Sequence, residues 1–438
     1  MTGLVAVTVY NVAGESCAFE LDWERSSFLH LKEAIARVWK VPASCQKLLR
    51  GQEVMKDSDR VTAALCLTMV VSLADACVSL RQGSCTQKIE LLEDLSYLKP
   101  KCAGLEAVGL AVGSALDDQN STVREAAVQA LMQVARKGDQ EAILRVLACL
   151  GDPDCDVRAA SVKALAHVAE KGDQHIVDAM ASCLADSYWN VRQAAMGSLL
   201  EFTERGDQYA LAAVTEFWRH QHCDVRVVAV ETFTQLAIRG DHDYIDAVMP
   251  CLLDQHWVVR RAAVKAVVHL AETGDQHTIT GLATFLGNPL GFVRAAALEA
   301  LVEVTAKGDR HAIDSMAANL TSSDSNVRHA VSKSLLSVAE KGDHHAIHAV
   351  RSYLEHQDAE VRSSAVGTLA HITDRGNKRV LALLAALIDD ESSRVRLAVV
   401  EAVDQVAGTG DRHVVDAARA SLEAPDSKHV PSCLDEMD

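Results

Sequence analysis

The residues of this chain that most invite chemistry form one column at a fixed offset from a recurring Val-Arg pair. It reads Glu141, His175, Tyr209, Asp243, His277, His311, His345, Arg379 and His413. The chemistry on offer is metal ligation, with imidazoles of successive units sharing an ion. Distance argues against it. Packed helices lie about 8–10 Å apart and a Zn–N bond is about 2.0–2.1 Å, so neighbouring rings would meet only by leaning together. Nothing in register supplies a third ligand. The expectation is no bound metal and no cofactor, with each histidine exposed in the first turn of a helix and its charge sensitive to mild acid. No G-x-x-x-x-G-K-[ST], H-E-x-x-H or G-x-S-x-G pattern occurs, so no phosphate cradle or hydrolytic nucleophile announces itself. The twelve cysteines have no C-x-x-C pair or regular spacing. They read as reduced, mostly buried thiols, with Cys149, Cys183 and Cys251 in packing register, which points to a cytoplasmic or nuclear protein.

The elements that must carry that column repeat without insertion or deletion. Val-Arg recurs every 34 residues from Val123/Arg124 to Val395/Arg396, nine times, and Gly keeps the same step from Gly138 to Gly410. Asp follows each of these glycines except Gly376, which precedes Asn377. A fixed period of this size is the mark of a stacked repeat array. In the copy from Gly151 to Leu184, Val157, Ala160, Val162, Leu165, Val168 and Ala169 share one helical face. Asp156 is placed to cap that helix, as are Asn190, Asp224 and Asn326 in other copies. Gly172 ends it, and Asp173 caps a second helix with Ile176, Val177, Met180 and Leu184 on its apolar face. Each unit is therefore a helical hairpin whose faces must pack on neighbouring units.

An Asp, five residues and an Arg recur as Asp118/Arg124, Asp152/Arg158, Asp186/Arg192, Asp254/Arg260 and Asp390/Arg396. On these residues the copies resemble HEAT repeats, in the short form also found in phycobilisome-lyase-type proteins. The resemblance implies a ladder of hydrogen bonds between repeats at those positions. His220, Asn288, Ser322 and His356 replace the Asp in the other four copies, while Arg is kept in all nine. The short unit also leaves room for an armadillo-like variant.

Residues 1–73 have another texture. Val5, Val7 and Val9 alternate, as do Cys17, Phe19 and Leu21, and predict a hairpin. Leu31, Ile35 and Val38 have helical spacing, stopped by Val41-Pro42. Lys47–Gly51 and Leu67–Leu73 read as two more strands. This order, with Gln46 to Leu49, Gly51, Asp59 and Leu67 to Val71, resembles a ubiquitin-like domain. The resemblance implies an apolar patch for a ubiquitin-receptor-type partner, with Leu49 and Val70 at two of its positions and Thr68 where ubiquitin has a histidine. Val71-Ser72-Leu73 runs on into Ala-Asp-Ala with no terminal diglycine, so the module is built in and not conjugated.

Residues 74–100 are expected to be a linker and an N-terminal capping helix, residues 101–423 the repeat solenoid, and residues 424–438 a disordered acidic tail. Residues 1–73 hold eight Lys/Arg and eight Asp/Glu, so the net charge of −17 belongs to the rest. That disfavours nucleic acid and anionic membrane and favours a basic protein segment as partner. No apolar run is long enough to span a membrane. Ten and thirteen residues after the repeat valines stand Glu170, Glu201, Glu204, Glu272, Glu303, Glu340 and Asp374, among histidines. In HEAT-like arrays this helix lines the concave side, so these acids are candidates for a binding face. Trp189, Trp257 and Phe292 lie where most copies have small residues, and are either loop packing or binding anchors.

The expectation is a mainly α protein. It comprises a HEAT/armadillo-like α-solenoid of nine helical hairpins after a small α+β ubiquitin-like (β-grasp) domain. Its expected role is that of a non-catalytic, cytoplasmic (or nuclear) scaffold or adaptor, in which the acidic face holds one protein and the N-terminal domain recruits another. The alternative is a HEAT-like enzyme or enzyme subunit, a bilin lyase or a deoxyhypusine-hydroxylase-like metal oxidoreductase. The lack of any His-Glu dipeptide counts against the latter.

Overall fold

The computed structural model describes residues 4–96, 109 and 111–423, apart from 12–13, 23–25, 40, 42, 62, 72–73 and 409. The first residues of the expected solenoid, 101–108 and 110, and the expected tail 424–438 lie outside the described residues. The chain divides into two compact units, Met1–His220 and Gln221–Asp438. The division falls within the repeat series and not after residue 73.

The first unit opens with β1 (Leu4–Asn11), β2 (Ser16–Asp22), α1 (Phe28–Trp39), β3 (Gln46–Arg50), β4 (Glu53–Val54) and β5 (Leu65–Val71). The strands form one mixed sheet in the order β2-β1-β5-β3-β4, with β1 and β5 parallel. The period-two pattern does the work here: Val7, Val9, Leu48, Leu67 and Met69 bury one face against Phe28, Leu31 and Ile35 of α1. Gln46 is buried as well, and its Nε2 donates to the carbonyls of Lys32 and Val41 at 2.9 and 2.7 Å, tying sheet to helix. This is a β-grasp-like α+β domain.

The expected linker begins instead with a helix, α2 (Ala74–Gln82). No proline interrupts it, and Ala76 and Leu80, one turn apart, are both buried. Next comes α3 (Cys85–Ser96), which buries Leu91, Leu92 and Leu95 and packs on the first complete long helix of the array, Ser121–Val134. Lys88 Nζ lies 2.6 Å from Asp118 Oδ2, so the capping helix also supplies a cation to the first ladder aspartate.

Each repeat then pairs a fourteen-residue long helix carrying Val-Arg with a short one. In the first unit the later pairs are Cys155–Val168 with Gln174–Ser182 and Trp189–Phe202 with Gln208–Thr215. In the second unit the long helices are Cys223–Leu236, Trp257–Leu270, Gly291–Val304, Ser325–Val338, Ala359–Ile372 and Ser393–Val406. Long helices pack on long and short on short, as Val157, Val162 and Leu165, all at 0% exposure, illustrate.

Asp156 does not cap its helix. The helix starts at Cys155, so Asp156 is already inside it, and Asp154 accepts the Asp156 N–H at 2.9 Å. Asn120, Asp324 and Asp358 cap in the same way. Asn190, Asp224 and Asn326 likewise fall inside their helices. Asp173 caps the short helix as expected, accepting from the His175 N–H. Gly172 has φ +90°, the left-handed conformation that ends the long helix without a Cβ penalty.

Two bonds join successive repeats. The Arg of one long helix grips the Asp that opens the next repeat with both guanidinium edges, as Arg124 does with Asp152 at 2.7 and 2.7 Å. Arg158–Asp186, Arg226–Asp254 and Arg362–Asp390 repeat the geometry. The second joint is backbone: the turn glycine N–H donates to the last long-helix residue of the next repeat. Gly138 to Val168 and Gly240 to Leu270 are both 2.7 Å.

Candidate functional site

The acids proposed as a binding face are all exposed. Glu201 and Glu303 stand on the last turn of their long helices, but Glu170, Glu204, Glu272, Glu340 and Asp374 lie beyond the helix end, in the turn before the glycine. The helix is shorter than its charge pattern suggested. In four of those five turns the next residue is basic: Lys171, Arg205, Lys341 and Arg375. One of these cations is tied down: Arg375 Nε donates to the Ala407 carbonyl of the following repeat at 2.8 Å. The turn edge therefore alternates in sign. The sequence carries this signal in tetrads such as Glu170-Lys171-Gly172-Asp173, whose second residue offsets the charge of the first.

The exposed side of the long helices is grooved at the seams between them. In the first unit a groove of about 670 Å³ runs over Glu93, Glu125, Gln129, Gln133, Asp156 and Lys163. In the second, one of about 580 Å³ sets Arg261, Lys265 and His269 against Glu299 and Glu303 of the next helix. These residues stand two, six and ten positions after the repeat valine, one turn apart and on one face.

Trp189 and Trp257 are 65% and 60% exposed at the first position of their long helices. Loop packing does not take them up. Phe292 is partly covered, its ring beneath the Arg260 guanidinium at 4.2 Å. That contact stands where Asn288 has replaced the ladder Asp. In the N-terminal domain, Leu49 pairs with Thr68 and Lys47 with Val70, which puts Leu49 and Val70 together on the sheet face away from α1. Val54, opposite Leu49 and 52% exposed, extends the same patch. A two-residue strand leaves no periodicity by which the sequence could point to it.

The substituted ladder positions keep half their role. Asp152 and Asp186 each accept a backbone N–H two residues on, besides holding the Arg. Asn288, Ser322 and His356 still accept that N–H, at 3.0, 3.3 and 3.1 Å, but bring no anion. Arg294 turns to Asp324 at 3.2 Å, and Arg328 to Glu360 at 2.8 Å. Of the expected pairs, Asp118, Asp152, Asp186, Asp254 and Asp390 also meet their own-repeat arginines, Arg124, Arg158, Arg192, Arg260 and Arg396, through backbone carbonyls.

The histidine column forms a third joint. His277 and His345 place Nε2 at 2.9 Å from Asp246 and Asp314 of the preceding short helix, and His311 lies 2.8 Å from Thr280. Tyr209 donates to Asp178 at 2.8 Å in the same register. Each imidazole is engaged by an oxygen one repeat back, not by another column histidine. Seeing this needed the pitch between short helices, which spacing alone does not give. Cys183 is buried, and burial pushes its thiol up to about 11, the state of an inert thiol.

This geometry agrees with what comparison finds. The chain matches HEAT repeats over residues 110–200, 143–232, 177–268, 212–302, 313–404 and 347–430. It belongs to the HEAT-repeat family. Among solved structures, an engineered protein is 19% identical, with a TM-score of 0.30 over 80% of this chain and 97% of that one. Kap121p bound to Ste12p is 15% identical, with a TM-score of 0.45 over 79% and 44%. Human deoxyhypusine hydroxylase in complex with glycerol is 19% identical, with a TM-score of 0.25 over 69% and 96%. The chain spans less than half the length of Kap121p. Among curated proteins, none matches it. No helix among the described residues is long and apolar enough to cross a membrane.

Proposed function

We propose that the chain is a non-catalytic protein-binding scaffold, in which the grooved faces of the long helices hold a protein partner. The observation that carries this reading is the exposure of Trp189 and Trp257. A long helix elsewhere in the array opens with Ser, Cys, Gly or Ala and folds equally well, so neither indole is needed for the fold. Large aromatic side chains left in water are what protein interfaces bury as anchors. Toward the opposite end of the long helices, Glu201, Glu204, Glu272 and Glu303 supply charge for a basic segment of the partner. The domain at residues 1–73 recruits a second factor, of ubiquitin-receptor type, through Leu49, Val54 and Val70. The place of action is the cytoplasm or the nucleus.

The test is affinity capture with mass spectrometry on the full chain and on a form with Trp189→Ala and Trp257→Ala. Loss of a specific partner with unchanged circular dichroism supports the reading. Retention of every partner by the double variant overturns it.

A further inference from the structure

The seam between Ser325–Val338 and Ala359–Ile372 opens into a groove of about 480 Å³ whose charge is opposite to that of the chain. Arg328, His329, Lys333, His371 and Arg394 line it, and Glu360 is the one carboxylate among its lining residues, in a protein of net charge −17. Hydroxyls complete the lining. Ser364 Oγ accepts from Arg328 Nε at 3.1 Å, and Ser332 and Thr368 share a hydrogen bond of 2.6 Å.

A missing rung in the arginine ladder produces this composition. His356 stands where the ladder aspartate belongs and accepts the Asp358 N–H through Nδ1, which keeps the turn but supplies no anion. Arg328 retains the Ser322 carbonyl at 2.7 Å and directs its other nitrogens to Ser364 and Glu360 at the groove. The second oxygen of Glu360 holds Arg394. Two guanidiniums thus share one carboxylate, and Lys333 adds a further exposed cation. The seam of about 670 Å³ over Ser121–Val134 and Cys155–Val168 is the contrast. There Asp152 supplies the anion for Arg124, and Glu93, Glu125 and Asp156 line the groove with a single Lys163.

We propose that the groove over His329, Lys333 and Arg394, which are exposed while Arg328 is buried and held by Ser322, Ser364 and Glu360, binds a phosphate monoester carried by a protein partner, a phosphorylated serine or threonine. A phosphoryl group brings about −1.5 to −2 charges and three strong acceptor oxygens, which guanidinium and ammonium donors satisfy together. The groove is open along the helices, as a side chain on an extended segment requires. That the phosphate comes on a protein rests on the protein-binding role proposed above.

The test is fluorescence anisotropy with the full-length protein and a labelled Gly/Ser-rich peptide carrying one phosphoserine. The unphosphorylated peptide and inorganic phosphate are the comparison probes. Lys333→Glu is set against Lys307→Glu, an exposed lysine in a turn away from the grooves. The expected result is binding of the phosphorylated peptide alone, weakened about tenfold or more by Lys333→Glu and unchanged by Lys307→Glu. Equal binding of both peptides, or equal loss in both variants, overturns the site. Inorganic phosphate binding as tightly as the phosphopeptide overturns the protein source. Partner capture that survives while phosphopeptide binding is absent sinks this inference and leaves the scaffold reading standing. Phosphopeptide binding without tryptophan-dependent capture does the reverse.

Discussion

Arg158 holds both carboxylate oxygens of Asp186, Nε to Oδ2 at 2.7 Å and Nη2 to Oδ1 at 2.9 Å, although 28 residues separate them. The pair is largely shielded from water, with side chains 11% and 14% exposed. Asp186 also accepts the Tyr188 N–H, so one carboxylate fixes both the turn that starts a repeat and its attachment to the repeat before.

Replacing Asp186 with Ala should cost about 1.5–3 kcal/mol locally, the range for a hydrogen bond to a charged group whose shielded partner is left behind. Arg158 would keep the Asp152 and Pro153 carbonyls and the face of the Tyr188 ring. Native-state hydrogen exchange at Cys155–Val168 and Trp189–Phe202 reads it. Unchanged protection there would show that the pair is dispensable.

Acid should attack the same joints. Burial alone would raise the carboxyls of Asp152, Asp186, Asp254 and Asp390, but the arginine hydrogen bonds and a backbone N–H outweigh it and hold all four low. With folded values below an unfolded value of about 3.9, their stabilisation is complete above that pH and is lost as pH falls through the folded values. Thermal midpoints should be flat from neutral pH down to about 5 and fall steeply below about 4. Asp186→Asn should shallow that fall; an unaltered acid limb would contradict the assignment.

Gly172→Ala should destabilise by about 1–2 kcal/mol, since a left-handed backbone charges that much for a Cβ. The added methyl itself would meet nothing within 4 Å, so the penalty is purely conformational. Gly172→Asn should recover part of it, because Asn tolerates this conformation better. Chemical denaturation distinguishes the two, and equal costs would point to a steric cause instead.

Trp257→Ala should leave stability within about 0.5 kcal/mol of the parent, as exposed positions do. A larger loss in a denaturation midpoint would mean that the indole packs.

Removing divalent metal with a chelator should leave the melting temperature where it was, since His277, His311 and His345 already face Asp246, Thr280 and Asp314. A fall in melting temperature, reversed by zinc, would reopen metal ligation.

The period, the hairpin, the glycine stop and the Arg–Asp register were legible because they are local or repeat without slippage. Val157, Leu165 and Gly172 state their roles by spacing alone. The cap was misplaced by two residues because Asp154 and Asp156 both satisfy the rule, and only the backbone chooses between them. The sign of each groove was hidden for another reason. It depends on which residues of adjacent long helices face the same seam, as Lys333 and His371 do, and on whether an arginine is engaged at its rung. Asn288, Ser322 and His356 looked like weak points in the sequence. The structure gives the arginines they forsake new partners in Phe292, Asp324 and Glu360.

The backbone bond from six of the turn glycines to the carbonyl thirty residues on has a consequence for how such a chain can change. Together with the arginine and histidine joints, which span 28 and 31 residues, it means that these bonds reach no further than the adjoining repeat. Excising one complete 34-residue period would bring an equivalent donor opposite an equivalent acceptor, and duplicating one would do the same. Length is then adjustable in whole units, while a cut of any other size would misalign all three joints together. Such a chain can gain or lose a module by recombination without relearning how to fold.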